Sequence, residues 1–207
     1  MKKSIAIILV MGLFSLFSCA KKVYIDAETL EVIKNVYNEG DVLIFQNIAT
    51  QETDTSTITK KEVYHNDYDW FRHDGYQPHQ AKVWYQNKRL KYGENNQDRI
   101  ISSEKRKPHD KDGFNVSYLY SAFQFYDLEE IDLRVSRIEE YDLETLHTIT
   151  LESVPKTFSK VIIQSIGKHP RHKPEDDFKP KTLYWDKDYG IIKYITYSGE
   201  VWERINW

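Results

Sequence analysis

The 207-residue chain contains a single cysteine, and it lacks most of the motifs that announce an enzyme. One cysteine excludes an intramolecular disulfide, so packing and hydrogen bonding must hold the fold together. No glycine-rich phosphate loop, Gly-x-Ser-x-Gly elbow or His-Glu-x-x-His pair occurs in the sequence. These absences leave scattered histidines and carboxylates as the only material for catalysis or metal binding.

Long apolar runs are also absent, except at the amino terminus. After a two-lysine start, residues 5–17 are apolar apart from one glycine and one serine. The run is shorter than the roughly 20 residues that a membrane-spanning helix needs. It ends at Leu16-Phe17-Ser18-Cys19, which resembles the lipobox read by the lipoprotein signal peptidase. We therefore predict a lipoprotein signal peptide over residues 1–18.

This interpretation makes Cys19 the lipidation site and the first residue of the mature chain. One acyl chain binds a membrane only weakly, with a constant of about 10⁴ M⁻¹. A lipobox cysteine usually carries a diacylglycerol thioether and an N-acyl group. The expected partner of Cys19 is therefore a membrane, through acyl chains that make the attachment effectively permanent.

The chain also lacks an excess of positive charge. The chain has 29 Lys and Arg against 32 Asp and Glu, a net charge of −3. Cleavage before Cys19 would remove Lys2 and Lys3 and no acidic residue, which changes the net charge to −5. A chain with this balance gives no support for a nucleic-acid partner.

Strand-forming residues dominate the rest of the chain. Fifteen tyrosines, nine phenylalanines and five tryptophans are interleaved with Val, Ile and Thr, which suits half-buried strands. Most connections are too short for a parallel crossover, so the pattern predicts a mainly β fold with a single antiparallel meander. About nine strands in one domain, residues 41–207, favour a strongly curved sheet or an open barrel. The predicted strands are 41–48, 54–64, 115–125, 131–138, 146–153, 160–166, 181–185, 191–197 and 201–205.

The last two predicted strands form the clearest hairpin, around Ser198 and Gly199. A two-residue loop would place Lys193 opposite Arg204, and like charges in direct opposition are unfavourable. A three-residue loop with Gly199 in the left-handed conformation avoids that contact. The three-residue loop is the one we expect.

A short helix is expected within the tether, residues 19–40. Asp26 can cap it, Ile25 and Leu30 have the spacing of a hydrophobic staple, and Gly40 can end it. The β-branched residues in this stretch are poor helix formers, which leaves an unstructured tether as the alternative. An extended chain of 20 residues would reach about 65 Å from a membrane.

Two polar stretches predict surface loops, and the secondary structure of a third region is left undecided by the sequence. Residues 102–113 are almost wholly charged, and residues 167–180 contain three prolines that prevent regular strand pairing. Residues 67–93 fit either strand or helix.

The histidines lie mainly in two polar stretches, each with nearby carboxylates. Neither stretch has ligand spacing on a defined helix or strand, so we predict no metal site, no cofactor and no catalytic residue. The acidic pairs at 129–130 and 139–140 would point to opposite faces of a strand, which favours solvation over acid–base chemistry. The residues considered as ligands are His65, His73 and His79 with Asp67, Asp69 and Asp74, and His169 and His172 with Asp176 and Asp177.

The five tryptophans have two interpretations. They could line a groove for sugar or lipid, or they could fill the core of a sheet, as aromatic residues routinely do. We favour core packing for Trp185 and Trp202, and Trp207 is the last residue of the sequence. The other two are Trp70 and Trp84.

Five segments carry a family resemblance: Lys3 to Cys19, Tyr37 to Phe45, Glu52 to Ile58, Tyr184 to Tyr194, and Gly199 to Trp202. They resemble segments of small uncharacterised outer-membrane lipoproteins of Bacteroidota type, a group without an assigned activity. The resemblance implies an envelope location and no catalytic residue. In this group, acidic residues soon after the lipidated cysteine resemble a surface-export signal. Ala20-Lys21-Lys22 departs from that pattern, which implies the periplasmic face of the outer membrane.

The sequence is compatible with three functions. The first is a non-enzymatic envelope module that binds a partner protein or stabilises an assembly. The second is a carrier that encloses a hydrophobic ligand, such as a lipid, in a curved β-sheet pocket. The third is a hydrolase of envelope polymer, which would need positioned carboxylates and histidines with shifted pKa values.

Overall fold

The computed structural model describes residues 20–66, 76–90, 97–110, 113–126, 146–167 and 173–207. The fold is mainly β: one 11-stranded antiparallel sheet curls into a half-barrel, beside a two-stranded sheet and a single helix. This confirms the predicted fold class. The strands are β1 Lys21–Lys22, β2 Val42–Asn47, β3 Thr53–His65, β4 Tyr76–Gln77, β5 His79–Asn87, β6 Gln97–Lys105, β7 Gly113–Tyr118, β8 Ser121–Tyr126, β9 His147–Thr150, β10 Thr157–Ser165, β11 Pro180–Asp186, β12 Gly190–Thr196 and β13 Val201–Arg204. The helix α1 is Ala27–Val36, and a 3-10 helix covers Pro174–Asp176.

The large sheet joins two meanders. Strands β2, β3, β5, β6, β7 and β8 follow one another in one meander, and β9 to β13 follow one another in the second. Pairing of β13 with β2 joins them, so the strands at the middle of the sheet come from opposite parts of the sequence. Among the described strands, β8 and β9 form the two edges of the sheet, and β9 is the next described strand after β8.

The curl brings the edge strand β8 against the opposite half of the sheet. The hydroxyl of Ser121 donates a 2.5 Å hydrogen bond to the carbonyl of Pro180, at the start of β11. The side-chain amide of Gln164, on β10, donates at 2.7 Å to the carbonyl of Gln124. These bonds hold the two halves of the sheet around a shared core.

Large aromatic side chains fill that core. Alternation along β2 sends Leu43 and Phe45 inward, as the period of a strand requires. Complete burial of such a side chain contributes about 1.5–3 kcal/mol to folding, and it leaves no water-sized space beside that side chain. The fully buried aromatic residues are Trp185, Trp202, Tyr37, Tyr85, Tyr118, Tyr194, Phe45 and Phe123.

The predicted helix is present and belongs to the core. Asp26 caps it, because its Oδ1 accepts a 2.8 Å hydrogen bond from the backbone N–H of Thr29. Ile33 and Val36 are buried against the sheet. The helix ends at Val36, earlier than the expected end at Gly40, because Tyr37 is extended and sends its ring into the core.

The terminal hairpin has the expected three-residue loop. Thr196 pairs with Glu200, and Gly199 lies in the left-handed region at φ +87°. The register places Lys193 opposite Glu203, where the ammonium and carboxylate are 2.9 Å apart. The hairpin therefore pairs opposite charges, as the favoured register predicts.

The predicted strand 115–125 is wrong as a single element. It is the hairpin of β7 and β8, which turns at Leu119 and Tyr120 with φ of 45° and 69°. Positive φ is unfavourable for such residues. The buried Leu119 side chain and its backbone N–H, which donates at 2.8 Å to the phenolic oxygen of Tyr85, offset that cost. Because this compensation comes from another strand, the local pattern could not reveal the turn.

Strand β6 was not predicted from the sequence. Residues 102–113 were expected to be a loop, but β6 continues through Lys105. Its polar residues lie between β5 and β7, which supply its backbone partners, and a bulge buries the consecutive Ile100 and Ile101. Residues 67–93, whose pattern fitted either strand or helix, contain β4 and β5. The predicted strand 131–138 and both acidic pairs lie outside the described residues.

Candidate functional site: docking of the amino-terminal segment

Two histidines meet on neighbouring strands. His65 on β3 pairs directly with His79 on β5, so both side chains project to the same face of the sheet. Their rings stack at a centroid distance of 4.4 Å and an angle of 15°. Tyr24 packs edge-on against both rings, at 4.9 Å from His65 and 5.6 Å from His79.

The histidine pair binds the backbone that follows Cys19. The N–H of Ile25 donates a 3.1 Å hydrogen bond to Nδ1 of His79. Nε2 of His65 lies 2.9 Å from the carbonyl oxygen of Val23, so this nitrogen carries the hydrogen. The N–H of Val23 also donates to the carbonyl of Gln77, at 3.3 Å. We call residues 23–25 with His65, Gln77 and His79 the docking site.

Strand pairing extends the docking site towards Cys19. The short strand β1 runs parallel to β4, with Lys21 opposite Tyr76 and Lys22 opposite Gln77. Ile25 is buried in the main core. The segment that begins at residue 20 is therefore part of the folded domain.

Electrostatics at the docking site keep His79 neutral. Burial lowers the pKa of His79, and the nearby His65 and Lys34 lower it further, because each would carry like charge. The neutral form is needed, since Nδ1 must accept the hydrogen bond from Ile25. The interaction is therefore sensitive to acid.

A second polar cluster lies inside the half-barrel. The side-chain amide of Asn87 donates to Oδ2 of Asp54 at 3.1 Å and to Oγ of Ser56 at 2.8 Å. Nε of Arg89 lies 3.7 Å from the same carboxylate oxygen, and Ser56 is 3.0 Å from the hydroxyl of Tyr118. Asp54 and Ser56 have no exposed surface, so a substrate cannot reach them in this conformation.

This cluster was not predicted from the sequence. Asp54, Ser56 and Ile58 alternate along β3 and share its inner face. That alternation was the available signal, since it places two polar residues in line with a core isoleucine. The partner Asn87 arrives only through the register of β5.

The other residues that were considered as metal ligands do not form a site in the described ranges. Within these ranges, no group of three or more His, Cys, Asp or Glu side chains converges. Asp176 pairs with Lys179 at 2.7 Å, next to the 3-10 helix. Cys19, His73, His169 and His172 lie outside the described residues, as do Asp67, Asp69 and Asp74.

The tryptophans follow the core interpretation in part. Trp185 and Trp202 are buried in the core, as expected. Trp84 donates from its indole N–H to Glu62 at 3.2 Å. Trp207 packs at the surface against two other aromatic rings, and Trp70 lies outside the described residues.

Comparisons with models of protein families, with curated proteins and with solved structures found no match to this chain. Among the described residues, no helix is both long enough and apolar enough to cross a bilayer.

Proposed function

We propose that this chain is a lipoprotein of the cell envelope, attached through acyl chains on Cys19 to the periplasmic face of the outer membrane. Its half-barrel acts as a non-enzymatic module that binds a partner protein or stabilises an envelope assembly. The docking of residues 23–25 onto the sheet is the observation that carries this proposal.

Docking supports attachment close to the membrane. Only Ala20 separates Cys19 from the paired residue Lys21. An unstructured tether of 20 residues would let the domain move about 65 Å from an anchor. With the segment docked, the anchor and the sheet are joined with almost no free linker. A domain held in this way stays close to its anchor, which suits a fixed binding or structural role.

The packed interior supports recognition by the outside of the domain. Tyr85, Tyr118 and Tyr194 meet in the middle of the half-barrel, with ring centroids 5.3–5.4 Å apart in the contacting pairs. Each of the three has no exposed surface. A lipid carrier would instead present uncovered apolar side chains at this place.

Metabolic labelling with a palmitate analogue tests the anchor. We expect the native chain to be labelled and Cys19→Ala to lose the label, because the variant has no sulfur to accept diacylglycerol. Ser18→Ala is the matched control and keeps the label, since it retains a small residue before the cysteine. Label retained in Cys19→Ala would place the anchor elsewhere and refute the proposed location.

Crosslinking in intact envelopes tests the module. We expect the tagged protein to recover the same envelope partner in independent preparations. The tagged Cys19→Ala variant should recover less of this partner. Absence of any reproducible partner contradicts a binding role. Native mass spectrometry distinguishes the carrier alternative, because co-purified lipid beyond the covalent anchor would favour a ligand enclosed by the sheet.

A further inference from the structure

Three aromatic rings surround the ammonium group of Lys156. The Nζ atom lies 4.0 Å from the ring centroid of Tyr189, 4.2 Å from that of Trp207 and 5.2 Å from that of Phe158. The rings come from three places in the fold. Phe158 lies on β10, Tyr189 in the turn before β12, and Trp207 after the end of β13. We call Phe158, Tyr189 and Trp207 the aromatic cage.

The geometry of the aromatic cage suits a compact cation. The rings of Tyr189 and Trp207 are nearly perpendicular, at 88°, and those of Phe158 and Tyr189 meet at 82°. Such rings do not form the flat platform on which a sugar stacks. Their faces converge on one point instead, where the negative face of each ring attracts positive charge.

Cation–π attraction is the main interaction of Lys156. No carboxylate pairs with its ammonium in the described part of the chain. Tyr189 and Trp207 are each 40% exposed, so the cage opens to solvent. A primary ammonium is strongly hydrated. A quaternary ammonium is not, and its methyl groups would contact all three rings.

The walls of the cage are held independently of Lys156. The guanidinium of Arg204 lies 5.0 Å from the ring centroid of Trp207 and donates a 2.8 Å hydrogen bond to the carbonyl of Tyr189. The loop that carries Lys156 is held by Glu203, whose carboxylate accepts hydrogen bonds from the N–H groups of Glu152 and Ser153. The Lys156 side chain can therefore leave the cage without releasing the rings or the loop.

We propose that the aromatic cage binds a quaternary ammonium group of the choline type, and that Lys156 fills the cage when this ligand is absent. The same trimethylammonium chemistry occurs in free choline and in the phosphatidylcholine headgroup. The inference does not depend on lipidation of Cys19.

The indole N–H resonance of Trp207 provides the measurement, with the protein in a glycosidic detergent that carries no ammonium group. We expect choline to shift this resonance in a saturable way. Its neutral isostere 3,3-dimethyl-1-butanol should bind at least about tenfold more weakly, a difference of about 1.4 kcal/mol. Lys156→Ala should bind choline at least about fivefold more tightly than the native chain, because the internal competitor is gone.

Two further variants act as controls. Tyr189→Leu in the Lys156→Ala background should abolish the choline shift while Trp207 remains observable. Arg99→Ala removes the cation that lies 5.8 Å from the ring centroid of Trp84, and the Trp84 resonance should not respond to choline. This comparison separates the cage from an ordinary exposed ring.

The outcomes are distinct. A folded Lys156→Ala variant whose Trp207 resonance ignores choline overturns the site. Equal affinity in the native chain and in Lys156→Ala overturns the role of Lys156. If phosphatidylcholine added to the micelles shifts the resonance at concentrations where free choline does not, the ligand is a lipid headgroup, and the reverse result identifies a soluble ligand.

Discussion

The backbone N–H of Ile191 donates a 2.8 Å hydrogen bond to the phenolic oxygen of Tyr37, across 154 positions of sequence. The ring of Tyr37 also packs edge-on against Trp185, at a centroid distance of 6.0 Å. Tyr37 directly follows α1, and Ile191 lies on β12. These contacts hold the end of α1 against the second meander, although the chain continues from α1 into β2 of the first meander.

Gly190→Ala should weaken this junction strongly. Gly190 has φ +76°, and an added Cβ would overlap the end of the Tyr37 side chain and contact Val36. Left-handed strain costs about 1–2 kcal/mol and overpacking about 1–3 kcal/mol, so we expect the free energy of unfolding to fall by about 3 kcal/mol. Urea denaturation measures it. Gly199→Ala is the control, because Gly199 has φ +87° with open space around it; equal losses in both variants would contradict the overlap.

Alkaline pH should destabilise the fold through Tyr37. Burial raises the pKa of Tyr37 to about 12, against the lowering effects of Arg204 and the bond from Ile191. The unfolded chain releases this proton near pH 10, so the folded state holds more protons between pH 10 and about 12. Stability contributed by Tyr37 is therefore complete below pH 10 and is lost as the pH rises through that window.

Tyr37→Phe tests this assignment. The variant leaves the N–H of Ile191 unpaired, which should cost about 1–3 kcal/mol at neutral pH. Its urea midpoint should then fall less steeply than that of the native chain above pH 10. Some dependence of the variant's urea midpoint on pH should remain, because burial also raises the pKa of Tyr85, Tyr118 and Tyr194. An unchanged slope would show that Tyr37 does not contribute.

Acid should release the amino-terminal segment from the docking site. The lowered pKa of His79 means that the unfolded or undocked chain takes up a proton near pH 6.5 before the docked state does. Docking is therefore complete above about pH 6.5 and weakens as the pH falls below it. The protection factor of the Ile25 backbone amide, which is the intrinsic hydrogen-exchange rate at each pH divided by the observed rate, should fall in that range.

His79→Phe should remove the protection of the Ile25 amide at every pH, because phenylalanine has no acceptor for that hydrogen. His109→Phe changes an exposed loop residue and should leave the protection unchanged. Protection of Ile25 that does not vary with pH in the native chain would show that His79 does not control docking.

Glu203→Gln should free the loop between β9 and β10. The buried carboxylate accepts hydrogen bonds from Ser153 and Lys193. Burial alone would raise the pKa of Glu203, but these bonds outweigh it and hold the pKa below its usual range. The stabilisation that the ionised Glu203 carboxylate provides is thus present above about pH 4.5 and lost as the pH falls below it.

The neutral variant leaves Lys193 without its partner, so we expect a loss of about 3 kcal/mol in the free energy of unfolding. Glu200→Gln serves as the control, because Glu200 is exposed and should change stability by less than about 0.5 kcal/mol. Equal urea midpoints for the two variants would contradict the role of Glu203.

Local features of the chain were predictable. Asp26 caps its helix from three residues away, and Gly199 supplies the positive φ of its loop. Both signals act within a few residues, so they can be recognised without knowing what lies elsewhere in the molecule. The same holds for the alternation in β2.

Features that depend on strands beyond the local hairpin were not predictable. The turn at Leu119 and Tyr120 carries no glycine, proline or asparagine, and its cost is offset by a contact with Tyr85 on another strand. The polar strand β6 gains its stability from neighbours on both sides. The candidate site follows the same rule, since His65 and His79 were recognisable as histidines but not as a pair that binds the segment after Cys19.

The sequence by itself determined the class of fold, the cap of α1 and the terminal hairpin, because strand alternation, a helix cap and a tight turn are all set by residues close together in the chain. Only the tertiary structure decided the pairing of β13 with β2, the docking of Val23 and Ile25, and the cage around Lys156. A strand exposes the same hydrogen-bonding groups whatever its partner is. The choice among partners is made by side chains far apart in the chain, through the single register that buries them all together.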